Sequence, residues 1–290
     1  MNLQDVGLAF EHTIAIWMPE VLKKGQFSYI ITQLRDNQAM KILAQRDIDR
    51  VHAGASMVKV LIMAYLFERA RLGDLNVYDT VALADVPRVE GGGALQELGN
   101  HHRFTYLELC RLMMVLSDNW ATNLLLHHLG MNAINEFANH MGFYPFSIQR
   151  YMMDTEAMRQ GRENEITALS MAHLYNHLYQ MRNEEPYEAE MWRILGRQQF
   201  RDKIPFYWGE EVPFYHKTGV LDRVEHDGGV YINPYGAFCI VAFVSQVDNG
   251  DAIFASAEFG RRVRDFLDHD VALAFDSSNK SAVYAGADDI

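Results

Sequence analysis

The chain has 290 residues, 49% of them apolar, and a formal net charge of −12 with no basic cluster, which argues against nucleic acid as a partner. No apolar run is long enough to span a membrane, and Asp5, Glu11 and Glu20 interrupt the segment where a signal peptide would lie, so a cytoplasmic protein with one large core is expected. Its two cysteines, Cys110 and Cys239, are far apart among apolar residues and read as buried thiols, not as a disulfide framework.

In chain order, residues 10–22 predict a helix with Phe10, Ile14 and Trp17 on one side. The runs from Phe27 to Leu34 and from Ala39 to Ala44 predict a hairpin around Asp36-Asn37. From Ser56 to Leu72, Val60, Met63, Ala64 and Phe67 recur at helical spacing before a stop at Gly73. Gly91-Gly92-Gly93 lacks the Lys-Ser/Thr of a phosphate loop and predicts a flexible rim instead. Thr105 and Glu108 form a capping-box pattern ahead of Leu109, Leu112 and Met113, and a second helical pattern runs through Ala121, Leu124 and Leu129 to Gly130. Residues 56–182 are mostly helical by pattern. Strand-like runs return at Val212–His216, Gly229–Asn233 and Ala237–Gln246, and a last helix is expected over Ala252–Leu267. The tail over residues 276–290 is small, polar and unpatterned, as in a flexible appendage. A sheet drawn from both ends of the chain, with a helical insertion between, accommodates this order.

Three short motifs carry the chemistry. Ser56-Met57-Val58-Lys59 opens a helix, where unpaired backbone N–H groups and the positive dipole end favour an alkoxide-like nucleophile and an oxyanion. Lys59 lies one turn beyond Ser56 and can act as its base if burial or a second cation depresses its pKa. By itself this segment also fits a core helix with a serine cap. Ser117-Asp118-Asn119 occupies a polar break between two helices, where Ser117 can relay a proton and Asn119 can bond a substrate amide, although a plain helix cap reads equally well. Lys217-Thr218-Gly219 ends an apolar run and supplies the second cation. Gly219 permits close approach of a ligand, and the N–H of Val220 is placed to join that of Ser56 as an oxyanion donor. On an edge strand the segment can also pair with an extended substrate.

Among 12 histidines, His173 and His177 are one helical turn apart, and His101-His102 and His127-His128 are adjacent, but no carboxylate or cysteine pattern completes a metal site. They are expected to be exposed or capping. His216 should point away from Lys217 on an alternating strand.

In order and spacing the three motifs resemble those of the penicillin-recognising serine hydrolases, most closely the class A β-lactamase-like family. The flanking Ala94-Leu95-Gln96-Glu97-Leu98 and Asn119-Trp120-Ala121-Thr122-Asn123-Leu124 agree, and the likeness runs from about residue 25 to about residue 270. It implies an α+β fold, with an antiparallel sheet built from N- and C-terminal segments flanked by helices and an inserted all-helical lobe. The single catalytic domain over residues 1–290 would then divide into an α/β lobe at about 1–55 and 205–275 and a helical lobe at about 56–204. The resemblance implies catalysis by Ser56, Lys59, Ser117 and Lys217, with substrate held by Asn119, Thr218, Gly219 and Val220, Lys217 facing a substrate carboxylate, and no cofactor or metal. Implied substrates are small molecules: a β-lactam, a D-alanyl peptide or an ester.

One departure matters. Class A β-lactamases carry a deacylating glutamate in an Arg-x-Glu-Pro-x-x-Asn loop, whereas this chain reads Arg150-Tyr151-Met152-Met153-Asp154-Thr155-Glu156, with Met152 in the glutamate's place. A thioether cannot take a proton from water. Asp154 or Glu156 would have to substitute from a rebuilt loop, unless Asp154 is a structural anchor paired with Arg150. The segment His226-Asp227-Gly228-Gly229 resembles a branch of the family known only as serine hydrolases. The expectation is therefore an acyl-enzyme at Ser56 with deacylation open: a β-lactam, amide or ester hydrolase, a D-alanyl peptidase, or a sensor that acylates once.

Overall fold

Burial on both faces explains why the strands of this chain read as near-continuous apolar runs. The structure, a computed structural model, describes residues 3–183 and 186–274, so the expected tail over 276–290 lies outside the described residues. Five strands, Gln26–Leu34 (β1), Lys41–Arg46 (β2), Phe214–Leu221 (β3), Val224–Asn233 (β4) and Gly236–Ser245 (β5), form one antiparallel sheet in the order β2-β1-β5-β4-β3. Both ends of the chain contribute to it, as expected. Along β5, Phe238, Ile240, Ala242 and Val244 enter one apolar cluster, while Cys239, Val241 and Phe243 enter the other. A fully buried side chain of this size contributes about 1.5–3 kcal/mol, so a slip in register would exchange two sets of core residues.

Against one face pack the helices Leu3–Trp17 (α1) and Asn249–Asp265, with Phe10 stacked on Phe266 at 4.3 Å and Phe27 edge-on to Phe259 at 5.3 Å. The other face meets a helical layer that includes Lys59–Arg71 (α2), Tyr106–Val115 (α3), Asn119–Leu129 (α4) and Ala168–Met181 (α5). The Tyr175 hydroxyl of α5 donates to the Gly228 carbonyl of β4 at 2.6 Å, fixing helix to sheet. The Thr105–Glu108 capping box forms as its pattern implies, and Gly73 takes φ +80° just beyond α2. Both cysteines are free and buried. Among the described residues no helix is long and apolar enough to cross a membrane.

The first helix differs from its predicted 10–22 span. It runs from Leu3 to Trp17, and a separate turn of helix, Glu20–Lys24, follows Pro19, whose ring cannot continue a helical ladder. The strand carrying Lys217 continues through the motif to Leu221 instead of stopping before it, and β4 begins at Val224, five residues earlier than its apolar run. Gly229 tolerates the tight pairing there, since a Cβ would sit 2.3 Å from the Tyr215 carbonyl oxygen.

Two histidines depart from the expected exposed or capping role: His52 and His226 are buried, as is His216. His52 exchanges hydrogen bonds with Ser28 of β1 and Ser245 of β5, both at 2.8 Å, and His226 of β4 donates to the Ala53 carbonyl at 3.0 Å. They tie the approach to Ser56 onto the sheet. Burial lowers the His52 pKa to about 4 and that of His226 to about 3, the neighbouring imidazole adding to the latter. Imidazoles that protonate at pH 6.5 only when unfolded stabilise the fold fully above that pH and progressively less as pH falls towards 4. The unfolding free energy should therefore fall from pH 6.5 towards pH 4 by about 1.4 kcal/mol per pH unit for each such imidazole, and the melting temperature with it. His226→Asn should flatten that slope in calorimetry, and an unchanged slope in the variant would remove His226 as its source.

Candidate active site

Ser56 sits in the 3₁₀ turn Ala55–Val58 that leads into α2, and its side chain lines a cavity of about 340 Å³ between sheet edge and helical layer. The turn lies directly against β3. A Cβ on Gly219 would meet Ala55 Cβ and Met57 Cγ at 3.1 Å and the Met57 nitrogen at 3.3 Å. Close approach at this glycine is thus made by the turn carrying Ser56, a different use from the ligand approach expected.

Lys59 and Lys217 are both fully buried, and the Nζ of each is 3.1 Å from Ser117 Oγ. Ser117 reaches this position from a left-handed backbone, φ +56°, which a non-glycine residue adopts only under constraint. Lys59 also donates to the Ser117 carbonyl at 2.7 Å and to Asn119 Oδ1 at 2.9 Å, which completes the three donors of an ammonium. Lys217 donates to the Thr218 carbonyl at 2.7 Å. Desolvation pulls the Lys59 pKa down to about 7, against the pull of Asp118. The same burial, helped by repulsion from Lys59 and Lys203, holds Lys217 well below the usual lysine range.

Asp118 does the fastening. Its Oδ1 caps α4 through the Ala121 N–H, and its Oδ2 accepts from the N–H groups of Ala94 and Leu95 at 2.7 and 2.8 Å. The Asn119 N–H donates to the Gly92 carbonyl at 3.0 Å, and Gly93 at φ +107° leaves no room for a Cβ beside Asp118. The glycine triplet, expected as a flexible rim, is therefore tied down against the site.

The opposite wall is the segment around Met152, held to α4 by a reciprocal pair of hydrogen bonds between the Asn123 side chain and the Met152 backbone at 2.8 and 3.1 Å. Met152 and Met153 line the cavity where the family resemblance placed the glutamate. Asp154 caps the short helix Thr155–Arg159 through the Ala157 N–H at 2.9 Å, and Arg150 pairs with Glu163 rather than with Asp154. Glu156 is exposed and paired with Arg159 at 3.2 Å. Neither Asp154 nor Glu156 is among the residues lining the Ser56 cavity, whereas Asn119, Thr218 and Val220 are.

Four lining residues escape motif reading: Asn164, Phe200, Asp202 and Lys203. Lys203 is buried with its Nζ 3.0 Å from Glu225 and 3.1 Å from Asp202. Asp227 accepts from His216 at 2.8 Å, so His216 does point away from the cavity. The signal that could have found Lys203 was the pair of acids, Glu225 and Asp227, in a strand otherwise built for burial. Among the described residues no cluster of three or more histidine, cysteine or carboxylate side chains could hold a metal ion.

The sequence profile of the Beta-lactamase enzyme family matches residues 14–267. The chain belongs to this family. Solved structures agree in fold across nearly the full length. A beta-lactamase from Sphaerobacter thermophilus superposes with a TM-score of 0.73 at 24% identity, covering 91% of this chain and 96% of its own. A class A beta-lactamase from Bacteroides cellulosilyticus gives 0.76 at 19%, covering 92% and 99%. A mutant of PBP-A, solved as an acyl-enzyme complex with penicillin G, gives 0.77 at 20%, covering 92% and 98%. No curated protein matches the sequence.

Because Gly219 sets the distance between β3 and the Ser56 turn, Gly219→Ala should slow acylation roughly ten- to a hundredfold, the scale on which displacement of a reacting group by about an ångström acts. Labelling by a fluorophosphonate, followed against time, gives that rate. An unchanged rate would show that the contact does not position Ser56.

Proposed function

We propose that this member of the beta-lactamase family is a serine hydrolase that cleaves amide or ester bonds through an acyl-enzyme on Ser56. The observation that carries the reading is the Ser117 hydroxyl held 3.1 Å from two buried amines at the wall of the cavity that Ser56 lines. A lysine with a pKa of about 7 is neutral in a large fraction of molecules at physiological pH, so Lys59 can accept the Ser56 proton as the hydroxyl attacks. The backbone N–H groups of Ser56 and Val220 receive the oxyanion. Ser117 passes a proton to the leaving group. Lys217, whose Nζ is committed to Ser117 and the Thr218 carbonyl, holds that hydroxyl in place and polarises it. Asn119 and Thr218 hold the substrate amide or ester.

Deacylation of a β-lactam is slow in this scheme. The ring-opened leaving group stays attached and blocks the face on which Lys59 and Ser117 would activate water. On the other face stands Met152, with Asp154 and Glu156 outside the cavity.

Intact-mass analysis after mixing with penicillin G or a fluorophosphonate should show one adduct per chain, mapped to Ser56, with the penicilloyl form outlasting the time needed to build it. Ser56→Ala should abolish both adducts. Full labelling of that variant, or rapid multiple turnover of the penicillin, would overturn the mechanism or its slow second step respectively.

A further inference from the structure

The charges that line the Ser56 cavity are matched within the protein. Arg150 is paired with Glu163 at 2.8 Å, and Lys203 lies 3.0 Å from Glu225 and 3.1 Å from Asp202. Lys59 and Lys217 stand behind the wall, wholly buried, with their donors directed at Ser117, Asn119 and the Thr218 carbonyl. No cation lining the cavity among the described residues lacks an acidic partner. An incoming carboxylate would have to shed its water without gaining a counter-ion, which is costly.

Apart from Ser117, Asn119, Asn164 and Thr218, the rest of the lining is apolar. Ala55, Leu116, Met152, Met153, Val220 and Leu221 line it together with Ser56, as does Phe200, 43% exposed. Arg150, Met153 and Leu221 also line a second, neighbouring cavity of about 420 Å³, together with Met158 and Val224. Met153 and Met158 are 52% and 46% exposed at this second cavity, and thioethers adapt readily to flexible chains. Of the acids beside it, Glu163 pairs with Arg150 and Asp154 accepts from the Ala157 N–H. Asp222, exposed at the rim, adds a negative charge that repels anions.

Resting on the serine-hydrolase reading above, we infer that the natural acyl group is an uncharged, flexible apolar chain, delivered as an ester, which lies along Met153, Met158 and Leu221 while its carbonyl meets Ser56. In the first step the Ser56 Oγ–acyl bond forms and the ester C–O bond breaks, and the Ser56 proton leaves with the alcohol by way of Lys59 and Ser117. The alcohol then departs, unlike the tethered amine of a β-lactam. Water takes its place beside Ser117, gives one proton back to Ser56 through the same groups, and releases the carboxylic acid.

The test uses the intact protein and p-nitrophenyl esters of acetate, butyrate and octanoate, an ester of octanoate length ending in a carboxylate, and one ending in an amine. On the inference kcat/KM rises with chain length, by up to about fourfold per methylene, and the octanoate exceeds both charged esters by at least about tenfold, the scale of an unpaired charge in an apolar site. Met158→Glu should cut the octanoate-to-acetate ratio of kcat/KM several-fold, and Met158→Leu should restore it. Rates independent of chain length, or a preference for either charged ester, would overturn the inference while leaving the serine mechanism standing. Failure of every ester and of the fluorophosphonate to acylate Ser56 would overturn both.

Discussion

Two amines buried beside one hydroxyl set the terms for the rest of the molecule. Ammonium groups cannot be taken out of water without partners, and two of them near one another repel as well. Lys59 and Lys217 meet this cost by weakened protonation and by donating to carbonyl and amide oxygens of Ser117, Asn119 and Thr218. Those acceptors come from three elements: the turn before α4, the first residue of α4 and the edge strand β3. The site therefore exists only where helical layer and sheet edge meet. Asp118, which fastens α4 to the glycine segment, holds one side of that junction, and Gly219 lets β3 close on the other.

Rigidity in the surroundings follows from the same need. A proton-transfer site works only if its groups keep their spacing, and here the Ser56 turn is anchored through Ala53 to His226, while His52 is held by Ser28 and Ser245. The Met152 segment is stitched to α4 by Asn123. Against this frame the chain has set an apolar wall where class A relatives are expected to place a carboxylate. On the proposed mechanism this separates acylation, whose groups the three motifs supply, from deacylation of a tethered adduct, for which the usual glutamate is missing.

The grouping of the motif residues was more legible in the sequence than the backbone geometry around them. Ser56, Lys59, Ser117 and Lys217 could be read from motif order because the helix start, the interhelical break and the strand each leave a short local signature. Strand limits near the site could not, because Gly219, Gly228 and Gly229 look like turn residues and serve instead as points of close backbone contact. Nor could the destinations of Asp154 and Glu156, since local capping at Ala157 and pairing with Arg159 compete with any reach into the cavity. Lys203 was harder to read for a different reason: its only signal was a pair of acids on β4, of which its partner Glu225 is 22 positions away. Buried His52 and His226 likewise depend on long-range partners that no local pattern reveals.

The most direct test of this account is an NMR titration of the protein carrying ¹⁵N-labelled lysine side chains, with Lys59→Met used to assign the Lys59 signal. The account predicts that the Lys59 amine titrates near pH 7, far from the exposed lysines. A Lys59 signal that stays protonated to the usual lysine range would contradict the central claim, because no group beside Ser56 would then be free to take its proton.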